Sequence, residues 1–196
     1  ASIYSQGGRL RRIHNLIFSP SFETAEKIIK EFQKRGVNLL SDGRPMMGLS
    51  AKNVLEMVLT IDKRALLIPC HIWTPWFSLY GSNSGFDTIE ECFGDYSQYI
   101  YAVETGLSSD PEMNWRIKEL ENHSILSFSD AHSPAKMGRE ATVFDIENKT
   151  PRYEDIRNAI INRKGIAHTI EFYPEEGKYH YTGHRNCKVI QSPEET

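Results

Sequence analysis

Asp130 and His132 are the two residues whose types and spacing most directly suggest chemistry. They follow the apolar stretch 125–128, which predicts a strand that runs into a polar loop. In an extended chain, residues i and i+2 point to the same side, so the two side chains are expected to converge. A carboxylate and a neutral imidazole are ligands that suit Zn, Mn or Fe. Taken alone, the triplet fits equally well an aspartate that caps a turn beside a solvent-facing histidine.

Other potential ligands stand at similar places along the sequence. His71 and Glu104 each stand at or directly after the end of a predicted strand, and His14 lies in the first predicted strand with Asn15 beside it. In parallel βα architectures, functional residues gather at the carboxyl ends of the strands. The repeated placement of such residues at one edge therefore favours a metal site over coincidence.

Strands and helices alternate along the chain. The predicted strands cover 10–18, 37–40, 65–71, 99–103, 125–128, 142–146 and 166–172. Residues 42–45 are predicted to form a turn. Amphipathic helices lie between most of the strands, and their predicted N-capping residues include Ser19, Ser50 and Asp110. This alternation predicts an α/β fold with βαβ units and a parallel sheet, and it fits either a barrel or an open sheet.

Composition narrows the class of protein. The 196 residues correspond to one domain, and the net charge of -3 gives no general electrostatic footprint for nucleic acid. The three cysteines, Cys70, Cys92 and Cys187, are expected to be reduced thiols. No apolar run approaches the roughly 18 residues of a membrane span, and no signal peptide is recognisable. A cytoplasmic location is therefore expected.

Both ends suggest a piece of a longer polypeptide. The chain opens at Ala1 without Met and already in strand-like sequence, and it closes with a polar run that ends at Thr196. We expect the first strands of the fold to be missing. The expected organisation is a partial hydrolase domain over 1–180, followed by a polar tail over 181–196.

Several segments resemble a known superfamily. Arg-Ile-His-Asn at 12–15, Pro-Cys-His at 69–71 and Ser-Asp-Ala-His at 129–132 resemble the later metal motifs of the PHP (polymerase and histidinol phosphatase) superfamily. Three longer segments look like the branch that contains endonuclease Q: 38–45, 69–76 and 183–187. The resemblance implies a distorted (β/α)7-type barrel that holds up to three divalent ions (Zn, Mn, Mg or Fe) and hydrolyses phosphoesters.

The resemblance also implies roles for individual residues. His14 and His71 would bind one ion together, and Asp130 and His132 would bind the other two, one each, and serve as catalytic residues. Glu104 matches no ligand of the family and is expected to support the site or the fold. The family's opening His-x-His, a second Asp/His group and a bridging Glu have no counterpart in this sequence. We therefore expect reduced or absent activity for this chain alone.

Members of the endonuclease Q branch nick DNA on the 5′ side of deaminated bases (hypoxanthine, uracil) or at abasic sites, so the expected partner is DNA with such lesions. Four aromatic residues after His71 could form the wall of a pocket for a base taken out of the stack, or they could pack as core: Trp73, Trp76, Phe77 and Tyr80. Five cationic residues could contact phosphate, or they could be ordinary surface charges: Arg9, Arg11, Arg12, Lys136 and Arg139.

His184 and Cys187 could begin a second zinc site, because a zinc-ribbon-like segment follows the barrel in the resembling branch. One Cys and one His cannot complete a four-ligand structural site. We therefore expect a disordered or loosely packed tail.

Two other functions fit the same residues. The first is a PHP-type phosphomonoesterase that acts on a small phosphorylated metabolite. The second is a non-catalytic fragment that only binds nucleic acid or a protein partner.

Overall fold

A computed structural model describes residues 1–40, 45–184 and 186–195. The helices in these ranges are α1 (Phe22–Lys34), α2 (Ala51–Ile61), α3 (Ile89–Phe93), α4 (Pro111–Trp115) and α5 (Tyr153–Asn162). The strands are β1 (Ser2–Gln6), β2 (Arg9–Ile13), β3 (Asn15–Phe18), β4 (Leu66–Pro69), β5 (Ala102–Glu104), β6 (Ser124–Leu126), β7 (Ala141–Phe144), β8 (Ile166–Ile170), β9 (Thr182–His184) and β10 (Val189–Gln191). The predicted α/β class is confirmed.

The described strands form two-stranded pairs. β1–β2, β3–β4, β7–β8 and β9–β10 are antiparallel, and β5–β6 is parallel. The expectation of a parallel sheet is therefore wrong for most pairs, and no closed barrel forms among the strands described. Helices α1 and α2 lie between the antiparallel strands β3 and β4, and α5 lies between the antiparallel strands β7 and β8. The segment that contains α4 forms the crossover between the parallel strands β5 and β6.

The predicted strand over 10–18 is divided at His14. β2 pairs with β1 through a two-residue turn in which Gly7 and Gly8 have φ of 60° and 71°, the left-handed conformation that such a hairpin requires. β3 begins one residue after His14 and pairs with β4 instead. His14 therefore lies where the chain changes partner strand.

The predicted helix caps, the strand over 37–40 and the turn at 42–45 have different outcomes in the structure. Ser50 caps α2 and Asp110 caps α4, as the sequence predicts. α1 begins later than expected, because Ser21 rather than Ser19 accepts the capping hydrogen bond. The predicted strand over 37–40 is wrong, since residues 37–40 form no strand. The predicted turn at 42–45 lies mostly outside the described residues.

Two apolar clusters support the sheet pairs. The larger one packs α1 and α2 against Ile13, Leu67 and Val103, and the smaller one packs Ile160 of α5 against the other faces of β4, β5 and β6. Strands buried on both faces hold their ends rigidly, which favours a site built on those ends. Within the described ranges, no helix is both long and apolar enough to cross a membrane.

Candidate active site

The four predicted ligands line one open cavity of about 1030 Å³. The cavity lies at the carboxyl ends of β4, β5 and β6, and its wall includes His14, His71, Asp130 and His132. Glu104, the last residue of β5, also contributes to it. The structure therefore brings together side chains that are more than a hundred residues apart in the sequence.

The strand register explains why His14 meets His71. β3 and β4 are antiparallel with Asn15 opposite Pro69, so the residue before β3 lies beside the residues that follow β4. The backbone N–H of Cys70 donates to the carbonyl of His14 at 3.1 Å, which continues the ladder. The two imidazoles then face each other, with His14 Nδ1 3.0 Å from His71 Nε2.

Thr74 determines which nitrogen of His71 carries the proton. The Thr74 hydroxyl donates to the carbonyl of Trp76 at 2.9 Å or to that of His71 at 3.2 Å. Its oxygen is therefore left to accept from His71 Nδ1, which lies 3.0 Å away. Neutral His71 is thus protonated on Nδ1, and the lone pair of Nε2 points towards His14. Thr74 was missed in the sequence, where only its position three residues after His71 hints at the contact.

Glu104 connects the ends of the three strands. It is 2% exposed, and its Oε2 accepts the backbone N–H of His71. Its Oε1 accepts from Gly106 at 3.0 Å and from Phe128 at 3.3 Å. Burial raises the pKa of Glu104 to about 7, although the three N–H donors favour the charged form. The carboxylate therefore supports the backbone around His71 and around the segment that leads to Asp130, in agreement with the supporting role expected for it.

Asp130 and His132 reach the cavity by a different geometry from the one expected. β6 ends at Leu126, so the two residues lie in an exposed irregular segment and do not share the face of a strand. His132 Nδ1 lies 2.7 Å from the carbonyl oxygen of Asp130, which can only accept. Neutral His132 is therefore protonated on Nδ1, with the lone pair on Nε2.

Three residues with unusual backbone conformations cluster around this cavity. His71, Asp130 and Phe77 have φ of 33°, 41° and 61°, in the left-handed region that residues other than glycine rarely adopt. Phe77 accepts the backbone N–H of His14 at 3.0 Å and packs its ring against the His14 ring. Conformations of this kind persist where the surrounding structure holds them, and they concentrate at functional sites.

The donor chemistry fits a divalent cation, but the number of converging donors is small. Histidine ligands of metals usually donate their second ring N–H to an oxygen, as His71 does to Thr74 and His132 does to the Asp130 carbonyl. Among the residues that the structure describes, no three His, Cys, Asp or Glu side chains are arranged to hold one ion. The His14–His71 pair could therefore supply two ligands of a site that needs further donors.

The aromatic segment after His71 divides into packed and exposed residues. The Trp73 indole donates to Asn114 at 2.9 Å, and the Tyr80 hydroxyl donates to Glu119 at 2.6 Å. Tyr80 is only 6% exposed, so of the two alternatives for this residue the structure shows core packing. Trp76 is 45% exposed and is available to a ligand.

Two of the cations predicted to contact phosphate, Lys136 and Arg139, lie on the loop after His132. Lys136 is exposed, and half-buried Arg139 donates from Nε to the Ser129 carbonyl at 2.8 Å. Arg139 thus braces the segment that carries Asp130. Whether either residue contacts phosphate stays a prediction.

The predicted second zinc ligands lie side by side near the chain end. His184 ends β9, and its Nδ1 is 3.1 Å from Cys187 Sγ, while its Nε2 is 3.4 Å from Asp87 Oδ1. The residues of strands β9 and β10 are all exposed. The role of His184 and Cys187 in binding zinc stays a prediction.

No known family profile matches this sequence. The uncharacterized protein YqxK of Bacillus subtilis is 31% identical over 185 residues, which cover 89% of this chain and 44% of YqxK. The uncharacterized protein MJ0043 of Methanocaldococcus jannaschii is 38% identical over 120 residues, which cover 59% of this chain and 14% of that protein. The chain therefore spans less than half the length of these curated relatives.

Two crystal structures share the fold. The lesion-specific endonuclease PfuEndoQ from Pyrococcus furiosus has a TM-score of 0.76 and 32% identity, over 93% of this chain and 44% of PfuEndoQ. Endonuclease Q in complex with a 27-mer duplex that carries an abasic lesion has a TM-score of 0.75 and 33% identity, over 94% of this chain and 45% of that one. The resemblance to the endonuclease Q branch is confirmed.

Proposed function

Because this chain shares sequence and fold with endonuclease Q over nearly all of its own length, we propose that it belongs to a metal-dependent DNA endonuclease. The observation that carries the proposal is the meeting of His14, His71, Asp130 and His132 around one cavity at the strand ends. We propose that the whole enzyme has the distorted (β/α)7-type barrel of the PHP superfamily, with the described strands as part of it.

In this proposal His14 and His71 bind one divalent ion together, and Asp130 and His132 bind further ions. The close approach of His14 Nδ1 and His71 Nε2, at 3.0 Å, supports a shared ion. Divalent cations at such a site would supply Lewis-acid activation of water and of the phosphodiester. Thr74 and the Asp130 carbonyl keep the Nε2 lone pairs of their histidines available, and Glu104 holds the backbone that carries His71.

The proposed substrate is duplex DNA with a uracil, a hypoxanthine or an abasic site, cut on the 5′ side of the lesion. A nuclease that recognises such lesions must take the nucleotide out of the stack. The open cavity offers space for a nucleotide, and Trp76, five positions after the cavity residue His71, offers an exposed ring. In the related complex, endonuclease Q holds a duplex with an abasic lesion at its active site, which supports the same class of substrate here.

A nicking assay tests the proposal. The purified whole enzyme is incubated with Mn, Mg or Zn and with end-labelled duplexes that carry uracil, hypoxanthine, an abasic site or no lesion. We expect cuts only in the lesion strands, and we expect Asp130→Ala and His71→Ala to lower the rate by at least about 100-fold. His168→Ala, which removes an exposed imidazole on β8, should leave the rate unchanged.

Other outcomes identify the alternatives. Hydrolysis of small phosphate monoesters without DNA cutting would favour a phosphomonoesterase. Lesion binding without cutting at any metal concentration would favour a non-catalytic binding role. Undiminished cutting by Asp130→Ala would refute the assignment of this site.

A further inference from the structure

Arg12 is held against two aromatic rings beside the His14–His71 pair. Its guanidinium carbon lies 4.8 Å from the centroid of the Trp76 ring and 5.5 Å from that of Phe77. Stacking on aromatic rings stabilises a guanidinium in one orientation without using its hydrogen-bond donors. The charge is therefore preorganised while its N–H groups remain free to bind an acceptor.

No acceptor for Arg12 exists among the residues described in this structure. The side chain makes no ion pair and no hydrogen bond there, and its Nε is shielded from solvent without a partner. Neighbouring Arg11 also has a shielded Nε without a partner, but it donates from Nη1 to the Gly85 carbonyl while it stacks on Phe86. Shielded donors normally find partners in native proteins, and the Arg12 guanidinium makes no hydrogen bond at all within the described residues, so its unpaired Nε indicates a ligand that accepts hydrogen bonds.

The backbone places Arg12 on the same side as the first predicted ligand. Ile13 is fully buried, and Arg12 and His14 flank it at positions i and i+2. Alternation along an extended chain puts those two side chains on one face, about 7 Å apart along the strand. Phe77 contacts both, since its ring lies 5.8 Å from the His14 ring. An anion on Arg12 would thus lie next to the proposed catalytic cavity.

The geometry points to a phosphate-binding subsite formed by Arg12 on the platform of Trp76 and Phe77, which takes a backbone phosphate of the bound DNA strand. The identity of the phosphate rests on the proposed function, while the anion site itself rests on the contacts of Arg12. A planar guanidinium donates two parallel hydrogen bonds to two phosphate oxygens, a fixed geometry that the ammonium group of a lysine lacks. The subsite anchors the strand beside the His14–His71 pair and does not read its sequence.

The first test compares the salt dependence of DNA binding between the wild-type protein and two variants of Arg12. Dissociation constants for an abasic duplex are measured by fluorescence anisotropy over a range of salt concentrations. We expect Arg12→Met to reduce the slope of log K against log salt by about 0.9, the value for one lost phosphate contact. Arg12→Lys keeps the charge but loses the planar pair of N–H donors. This variant should retain most of the slope but still bind DNA more weakly than the wild type.

Arg9→Met is the matched control. Arg9 lies on the same strand, is exposed, and has no aromatic platform or hydrogen-bond partner within the described ranges. Its loss should leave the slope unchanged. Equal slope changes in Arg9→Met and Arg12→Met would show a diffuse effect of charge and would overturn the subsite.

A second measurement separates this proposal from the proposed function. The side-chain Nε–H resonances of 15N-arginine-labelled protein are followed while inorganic phosphate is added, and Arg12→Lys identifies the Arg12 signal. A saturable shift of that signal in a protein that binds no DNA would support the anion site and refute the nuclease. The absence of a shift, together with an unchanged slope in Arg12→Met, would overturn the subsite even if the protein cuts DNA.

Discussion

His14 Nδ1 lies 3.0 Å from His71 Nε2, although 57 positions separate the two residues in the sequence. Either one ring donates a hydrogen bond to the other, or both nitrogens bind one ion. Because Thr74 leaves the lone pair of His71 on Nε2, a shared ion would need His14 to present a lone pair on Nδ1 as well. The proton position on His14 therefore distinguishes the hydrogen-bonded pair from the proposed metal-binding pair.

Removal of either imidazole should abolish tight metal binding. We expect His14→Ala and His71→Ala each to weaken Zn or Mn binding by at least about 100-fold, since each removes a direct ligand. Isothermal titration calorimetry on the metal-free protein measures the effect, with His168→Ala as the control that keeps wild-type affinity. Wild-type affinity in both variants of the pair would exclude a shared ion.

Replacement of Thr74 should change metal affinity without removing a ligand. Thr74→Val keeps the shape of the side chain but removes the oxygen that accepts from His71 Nδ1, so His71 can shift its proton to Nε2. We expect an affinity loss of about 10-fold to 100-fold, the range for partners of metal-bound histidines. Thr74→Ser restores the oxygen and should restore the affinity. A Ser variant as weak as the Val variant would contradict this explanation.

Glu104→Gln should destabilise the fold. The amide can offer one oxygen to Gly106 and Phe128, but its NH2 group then faces the N–H of His71, and two donors cannot pair. We expect a loss of about 1–3 kcal/mol in the free energy of unfolding by urea, the cost of an unpaired buried donor. The exposed control Glu147→Gln should change it by less than about 0.5 kcal/mol.

The pH dependence of stability should contain a contribution from Glu171. Burial, together with the charge of Glu140, raises the pKa of Glu171 from 4.5 to about 7 in the folded state. The folded protein therefore binds this proton more tightly than the unfolded chain, and the free energy of unfolding should fall as the pH rises from about 4.5 to about 7.

Glu171→Gln removes this titration while keeping an oxygen that can accept from Thr105. Urea denaturation at several pH values should therefore show a smaller decline for Glu171→Gln than for the wild type over that interval. Glu147→Gln should follow the wild-type curve. Identical slopes for all three proteins would show that Glu171 has an ordinary pKa in the folded state.

Local sequence signals predicted the features that depend on near neighbours. Ser50 and Asp110 were recognised as helix caps because a cap needs only its own side chain and the next turn. The apolar stretches that became β4, β5 and β6 were recognised because burial on both faces requires an unbroken apolar run. His71 follows β4, and Asp130 and His132 follow β6, so the prediction of these buried strands also placed the three residues at one cavity.

Features that depend on distant partners were not predictable in the same way. No sequence signal near His14 predicts a break in the strand expected over 10–18. The break arises because β2 pairs with β1 whereas β3 pairs with β4. Tyr80 was a candidate for substrate binding until the structure placed its hydroxyl on Glu119, 39 positions away. The irregular segment at Asp130 likewise replaced the extended backbone that was expected from Asp130 to His132.

The sequence by itself determined the α/β class, the order of the chemical motifs and the strand ends that carry them, because side-chain periodicity and capping act over a few residues. Only the tertiary structure decided the antiparallel pairing that puts His14 against His71, the proton position set by Thr74, and the stacking of Arg12 on Trp76. Those relationships depend on contacts between segments far apart in the chain, and their distances and orientations are fixed only when the whole core is packed.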